Sequence, residues 1–101
     1  MTPEEARRLM DDCREKIDNL DRQLVELLNQ RSRAVEEIGR AKGEAGMPVF
    51  QLRREYDVYH NVLASNHGPL TPDALKRIFS RVIDEMRNIQ KVGHKPAAGE
   101  R

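Results

Sequence analysis

The feature that most constrains the fold is a row of apolar residues between Ala6 and Ile38, with no proline inside it. Its members recur at intervals of three and four residues, which is the period of an α-helix. The segment 2–5 (TPEE) precedes the row and combines a capping box with a proline suited to the first helical position. Gly43 and Gly46 follow the row and are expected to end the helix. The pattern therefore predicts one N-terminal helix of about 40 residues, about 60 Å long.

A helix of this length limits the possible architectures. A compact chain of about 100 residues has a radius of gyration of about 13 Å, so the remaining residues cannot cover such a rod. A second copy of the chain is the economical cover, with the long helices paired. Charged residues make up 35% of the chain and aromatic residues only 4%, which is usual for helices and poor for sheets. We therefore predict an all-α, three-helix protomer in an intertwined homodimer.

A second helix is predicted after a turn at residues 43–48. It begins near Gln51 and ends near Ser65, before the helix-breaking segment 66–69 (NHGP). Its apolar residues recur at helical spacing. The residues expected to face inward are Leu52, Tyr56, Tyr59 and Val62 or Leu63.

The third helix is predicted to follow the start signal Thr71-Pro72-Asp73 and to end at Gly93. Beyond it, the segment 93–101 (GHKPAAGER) has the composition of a disordered tail. The sequence therefore predicts one domain over residues 1–92 and a tail over residues 93–101.

The overall charge excludes several classes of partner. Eighteen Lys and Arg residues stand against seventeen Asp and Glu, a net charge of +1, so no global field attracts the chain to nucleic acid or to an anionic membrane. The single cysteine, Cys13, excludes an internal disulfide and is expected to pack on the apolar row. The N-terminal sequence MTPEEARR has no apolar run of signal-peptide or transmembrane length. We expect a cytoplasmic protein without a metal or a cofactor.

Two long cations, Arg31 and Lys42, lie within the apolar row, and Arg14 lies at its flank. A single cation at the edge of such a row usually buries its methylene groups and leaves its charge in water. Two cations in a row that a partner chain covers each need an anion, because a buried unpaired charge is costly. The pattern therefore predicts a small anionic ligand bound by Arg31 and Lys42.

The other two helices add polar groups that could line the same cavity. Arg53, Arg54 and Glu55 lie near the start of the second helix, and Gln90 lies on the apolar face of the third. The sequence shows no Ser-His-Asp or Cys-His arrangement and no glycine-rich phosphate loop. Cations and amide donors suit electrostatic stabilisation and positioning better than covalent or proton-transfer chemistry. The histidines are interpreted as surface residues: His60, His67 and His94.

Three stretches of the sequence closely resemble the type II, all-helical chorismate mutases over about residues 8–90. They are CREKIDNLDRQLVELLNQRSRAVEEIGRAK, then PVFQLRRE, then GPLTPDALKRIFSRVIDEMRNIQ. The resemblance implies an intertwined dimer with two equivalent active sites. It also implies the Claisen rearrangement of chorismate to prephenate, on the way to phenylalanine and tyrosine.

The resemblance also implies roles for the candidate residues. Arg31 would bind one carboxylate of the substrate, and Arg14 would reach over from the partner chain to bind the other. Lys42 and Gln90 would donate hydrogen bonds to the ether oxygen, where negative charge develops as the C–O bond breaks. A unimolecular pericyclic reaction needs only a restrained conformer and a field matched to its transition state.

Four further positions belong to the implied substrate site. Arg54 resembles the family's arginine that lies on the hydroxyl side of the substrate and supports a carboxylate. Glu55 resembles the family's carboxylate that binds the ring hydroxyl of the substrate. Two positions depart from the common pattern: Gln51 stands where many relatives have Asp, and Met86 where many have a small polar residue such as Ser. We expect altered substrate affinity from these departures more than lost activity.

Two other interpretations are left open by the residues. An isochorismate-pyruvate lyase of the same fold eliminates pyruvate instead of rearranging its substrate, and Lys42 and Gln90 do not decide between the two enzymes. A non-catalytic helical dimerisation or regulatory module would use the cations to bind an acidic partner. Such a module would tolerate neutral replacement of Arg31 and Lys42 when chorismate is the assay. Docking of the dimer to another enzyme of the pathway is left open as well.

Overall fold

The computed structural model describes residues 1–94, which form three α-helices and no strand. The helices are α1 (Pro3–Ala45), α2 (Leu52–Ala64) and α3 (Pro72–Gly93). The predicted all-α class, the three-helix order and the very long first helix are therefore confirmed. The predicted tail falls mostly on residues 95–101, which lie outside the described residues, so the domain boundary after residue 92 stays a prediction.

Side chains cap two of the helices, as their sequences indicate. The Thr2 hydroxyl accepts a hydrogen bond from the Glu5 amide at 3.1 Å, and the Glu5 carboxylate accepts from the Thr2 amide at 3.4 Å. This reciprocal pair is the predicted capping box. At the start of α3, the Thr71 hydroxyl accepts from the Ala74 amide at 3.1 Å. In contrast, Gln51 precedes α2 with an extended backbone and makes no side-chain cap.

The end of α1 is set by Gly46 rather than by Gly43. Gly43 is buried inside the helix, whereas Gly46 has a φ of +69°, the left-handed conformation that favours glycine. The Met47 amide then donates to the Lys42 carbonyl at 2.8 Å, and the Gly46 amide donates to the Gly43 carbonyl at 3.4 Å. These two bonds form a Schellman motif. The turn therefore begins at Gly46, three residues later than the first glycine suggests.

Two compact units make up the chain, the first being Met1–Arg31 and the second beginning at Ser32. The first unit is helical from Pro3 onward, and its apolar row has no cover within the unit. Cys13, expected to be packed, is exposed in the single chain. The following side chains of this unit are between 41% and 59% exposed: Leu9, Met10, Ile17, Leu20, Leu24, Val25, Leu27 and Leu28.

The second unit contains the buried apolar residues Val35, Val58, Leu75, Ile83 and Met86. They come from the C-terminal part of α1, from α2 and from α3, and α2 packs against α3.

The buried face of α2 differs from the predicted one. Leu52 and Tyr56, expected to face inward, are 70% and 68% exposed. The less exposed positions of α2 are Glu55, Asp57, Val58, Tyr59, Val62 and Leu63, of which only Val58 is buried. The inward stripe thus contains a charged residue, which the apolar periodicity of α2 could not indicate.

Candidate active site

The contact between Lys42 and Gln90 joins the end of α1 to the end of α3. The Nζ of Lys42 donates to the Oε1 of Gln90 at 2.6 Å and to the backbone oxygen of Val49 at 2.9 Å. Lysine carries only donors, so Gln90 must present its amide oxygen to Lys42. The amide NH2 of Gln90 and the third N–H of Lys42 are then the groups with which this pair can bind a further acceptor. Both side chains are half-buried.

The electrostatic state of Lys42 favours an anionic ligand. Burial lowers the pKa of Lys42 below its ordinary value, because removal of water disfavours the charged form. Its two hydrogen-bond acceptors in the structure, an amide and a backbone carbonyl, are both neutral. A ligand oxygen that gains negative charge next to this ammonium would therefore be stabilised.

Gly39 allows α3 to approach α1 at the site. A Cβ built on Gly39 would lie 2.8 Å from the backbone oxygen of Gln90 and 3.3 Å from its Cγ. Only a residue without a side chain fits at that distance. Gly39 was not among the predicted site residues, although a glycine inside the apolar row of a long helix is the signal that could have indicated it.

A second polar pair links α2 to α3. A carboxylate oxygen of Glu55, Oε2, accepts a hydrogen bond from the Nη2 of Arg87, and the two side chains are 24% and 29% exposed. The hydrogen bond with Glu55 raises the pKa of Arg87, although burial opposes this. Arg87 also lies 3.5 Å from Asp84 and covers the ring of Phe50, 5.2 Å from its centroid. Arg87 was not predicted as a site residue, and its position three residues before Gln90 on α3 is the signal that places it on the same face.

The segment 47–51 (MPVFQ) connects the two polar pairs. The backbone oxygen of Val49 accepts from Lys42, and the ring of the next residue, Phe50, lies under Arg87. The segment ends at Gln51, which precedes α2. The Lys42–Gln90 pair and the Glu55–Arg87 pair are therefore attached to adjacent residues of one segment.

The interpretation of the histidines is correct for two of the three. His60 and His67 are exposed. His94, expected in the tail, is half-buried, and its Nε2 lies 2.7 Å from the backbone oxygen of Met47. The ring thereby attaches the end of α3 to the segment 47–51, a long-range contact that local sequence does not encode.

The other predicted site residues occupy different surroundings. Arg14 is exposed and Arg31 half-buried, and both belong to the first unit. Arg54 is exposed in the first turn of α2, as is Gln51 before it. Met86 is buried, and its Sδ lies 3.5 Å from the Ser32 hydroxyl, which donates to it. The structure thus joins Lys42 to Gln90 directly, whereas the roles of these other residues stay predictions.

Neither a metal centre nor a membrane span is found within residues 1–94. No group of three or more His, Cys, Asp or Glu residues in this part of the chain could hold a metal ion. None of the helices described here is long and apolar enough to cross a membrane.

Comparison with known families identifies the fold and the family. The model of the chorismate mutase type II family matches residues 13–91, which is most of the chain. The chain therefore belongs to the chorismate mutase type II family, and the resemblance drawn from its sequence motifs is confirmed.

Individual relatives agree with this assignment. The bifunctional chorismate mutase/prephenate dehydratase of Pseudomonas aeruginosa is 35% identical over 73 residues, which are 67% of this chain and 20% of that protein. Chorismate mutase (form II) of Thermus thermophilus is 27% identical, with a TM-score of 0.79 over 81% of this chain and 93% of that one. Chorismate mutase of Helicobacter pylori in complex with prephenate shares the fold, with a TM-score of 0.77 at 24% identity over 85% of this chain and 93% of that one. The chain spans about a fifth of the length of the curated relatives it matches.

Proposed function

We propose that this chain catalyses the rearrangement of chorismate to prephenate. The observation that carries the proposal is the contact between Lys42 and Gln90 at 2.6 Å, in a chain of the chorismate mutase type II family. The pair provides a cationic donor and a neutral amide donor at one place. These are the groups that a reaction with a developing oxyanion requires.

The chemistry follows from the electron flow of the reaction. As the C–O bond of the ether breaks, negative charge grows on the ether oxygen while the new C–C bond forms. The free N–H of Lys42 and the amide NH2 of Gln90 would donate to that oxygen more strongly in the transition state than in the ground state. No nucleophile and no base is needed, because no proton is transferred. The remaining task is to hold the substrate in its reactive conformer.

The two carboxylates of the substrate would be bound by arginines. We propose that Arg31 binds one carboxylate and that Arg14 of the partner subunit binds the other. Arg54 would lie on the hydroxyl side of the substrate and support one of its carboxylates. Glu55 would accept a hydrogen bond from the ring hydroxyl. Gln51 and Met86 would line the same site. Arginine suits the task because its planar guanidinium can bind a carboxylate through two parallel hydrogen bonds.

The homodimer is supported by the uncovered apolar row of the first unit. Eight large apolar side chains on one helix, each at least 41% exposed, form a surface that a monomer would leave in water. Pairing of two such helices along their rows buries both surfaces at once. We propose that the subunit paired in this way is the one that supplies Arg14.

Sharing of sites can be tested by mixing two inactive variants. Arg14→Ala and Arg31→Ala should each lose activity alone, and a re-associated mixture should recover about a quarter of the wild-type rate, since half of the dimers hold one intact site. Each variant re-associated with itself is the control. Absence of recovery in a verified heterodimer would contradict the shared site.

The catalytic role of Lys42 can be tested with a variant that removes its charge. Lys42→Ala should lower kcat by at least about 10²–10³-fold, the usual effect of removing one donor to a developing oxyanion. Lys91→Ala is the matched control, because Lys91 is an exposed lysine next to Gln90 in sequence. Equal activity of the two folded variants would contradict the proposal.

A further inference from the structure

The Glu55–Arg87 pair lies beside the Lys42–Gln90 pair. Arg87 and Gln90 are three residues apart on α3, so their side chains leave the same face of the helix. Val49 and Phe50, adjacent in the chain, contact Lys42 and Arg87 respectively. The proposed function assigns the ring hydroxyl to Glu55 and leaves Arg87 without a role.

We propose that Arg87 is a positioning residue, which holds the Glu55 carboxylate in the orientation that accepts a hydrogen bond from the ring hydroxyl of chorismate. This inference rests on the proposed function. Arg87 binds Oε2 of Glu55, and an ionised carboxylate has about four acceptor sites, so Oε1 stays available to a hydroxyl. Arg87 also offsets the negative charge of Glu55, which would otherwise repel a substrate with two carboxylates.

The surroundings of Arg87 restrict its motion. Its guanidinium contacts Glu55 on α2, Asp84 on its own helix and the ring of Phe50. Because the group is held from several directions and half-buried, little side-chain freedom is left to be lost when a substrate binds. A carboxylate attached to it is therefore held in one orientation before the substrate arrives.

The same helix carries a contrasting pair that serves as a control. Arg81 and Glu85 form an ion pair at 2.9 Å, with side chains 77% and 52% exposed. Exposed ion pairs of this kind contribute little to the stability of the fold, because water screens the charges and both side chains lose conformational freedom. Arg81→Met thus removes an arginine from an ion pair on α3 without touching Glu55.

The experiment compares chorismate with an analogue in which hydrogen replaces the ring hydroxyl. Arg87→Met should lower kcat/KM for chorismate by about 10- to 100-fold, the range for loss of a hydrogen bond to a charged group. For the analogue, which gives Glu55 no hydroxyl to bind, the loss should be about tenfold smaller. Arg81→Met should leave both values near wild type.

A purely structural role for Arg87 predicts a different result. Misplacement of α2 against α3 would lower kcat/KM for both substrates by the same factor, and that outcome overturns the inference. If Arg87→Met does not fold, Arg87→Lys takes its place, since lysine keeps the charge but loses the planar fork of donors. Arg87→Lys should show a smaller loss that again falls mainly on chorismate, and an equal loss on both substrates overturns the inference.

Failure of the proposed function gives a separate result. In that case the wild-type protein would not convert chorismate at all, whereas failure of the Arg87 inference leaves the wild type active and only removes the difference between the two substrates. A second variant confirms the route through Glu55. In a Glu55→Gln background, Arg87→Met should cost less than about threefold in kcat/KM, and a full loss there would overturn the inference.

Discussion

The Nζ of Lys42 lies 2.6 Å from the Oε1 of Gln90, across a separation of 48 residues in sequence. The contact fixes the orientation of the glutamine amide, because lysine can only donate. It also places the amide NH2 and the ammonium group side by side. A ligand oxygen that reaches both groups would receive a charged and a neutral hydrogen bond at the same time.

The pKa of Lys42 should limit activity in alkaline solution. Burial lowers the pKa of Lys42, so its ammonium is lost at a lower pH than that of an ordinary lysine. Because the proposed mechanism needs the charged form, kcat/KM should fall as pH rises through this lowered pKa. The measurement is a pH profile of kcat/KM for chorismate.

Lys42→Arg is the variant that identifies this alkaline limb. Arginine stays protonated at every accessible pH. The variant should therefore be slower because of its geometry, but its kcat/KM should no longer fall in alkaline solution. If kcat/KM of Lys42→Arg falls at the same alkaline pH as that of the wild type, the titrating group is not Lys42.

Gln90→Glu should convert a pH-independent donor into a pH-dependent one. The introduced carboxyl can donate to the ether oxygen only when it is protonated, and when ionised it also cancels the charge of Lys42. Activity of Gln90→Glu should therefore rise as pH falls through the pKa of that carboxyl. Gln90→Leu, which has no donor at any pH, should show no such rise. A flat profile for Gln90→Glu would remove Gln90 from the ether-oxygen role.

Gly39→Ala should destabilise the protein and disturb the site. The added Cβ would lie 2.8 Å from the backbone oxygen of Gln90, so α1 and α3 must separate. Overpacking of this kind costs about 1–3 kcal/mol of unfolding free energy. The measurement is urea unfolding, together with kcat.

The matched control for this substitution is Gly93→Ala at the end of α3. There the added Cβ would lie 3.6 Å from the Glu36 backbone oxygen, an ordinary contact. This variant should be close to wild type in stability and in kcat. Similar losses of stability and of kcat in both variants would show that α3 does not approach α1 closely at Gly39.

Gln51→Asn should stabilise α2 at its start. Gln51 already has the extended backbone of an N-cap residue, with a φ of −136° and a ψ of 101°, but makes no side-chain cap. Asparagine is among the best N-cap residues and adds no charge near an anion site, so the gain should be about 1 kcal/mol. Gln51→Ala should give no such gain, and equal unfolding free energies for the two variants would contradict the capping argument.

Local signals predicted the helices well. The capping residues Thr2 and Thr71 act on amides within three residues of them, so their effect is encoded in short stretches of sequence. Lys42 is predicted as a site residue because a cation within an apolar row is unusual, whereas the site role of Gln90 is implied by the resemblance to the family. Their mutual contact was not predictable from α1 or α3 alone, since it depends on the packing of the two helices at Gly39.

The face of α2 could not be predicted for a related reason. Apolar periodicity treats charged residues as exposed, whereas Glu55 is half-buried and paired with Arg87, 32 residues away. Leu52 and Tyr56, which the periodicity places on the inward face, are exposed in the single chain. His94 illustrates the same limit, since its contact with Met47 joins segments 47 residues apart.

The most direct test of the proposed activity is product analysis after incubation of the purified protein with chorismate and, separately, with isochorismate. Substrate loss is followed by ultraviolet absorbance, and products are identified by chromatography. We expect prephenate from chorismate and no pyruvate from isochorismate. Salicylate with pyruvate from isochorismate would instead define a lyase, and inertness towards both substrates would contradict the enzymatic role of the Lys42–Gln90 pair.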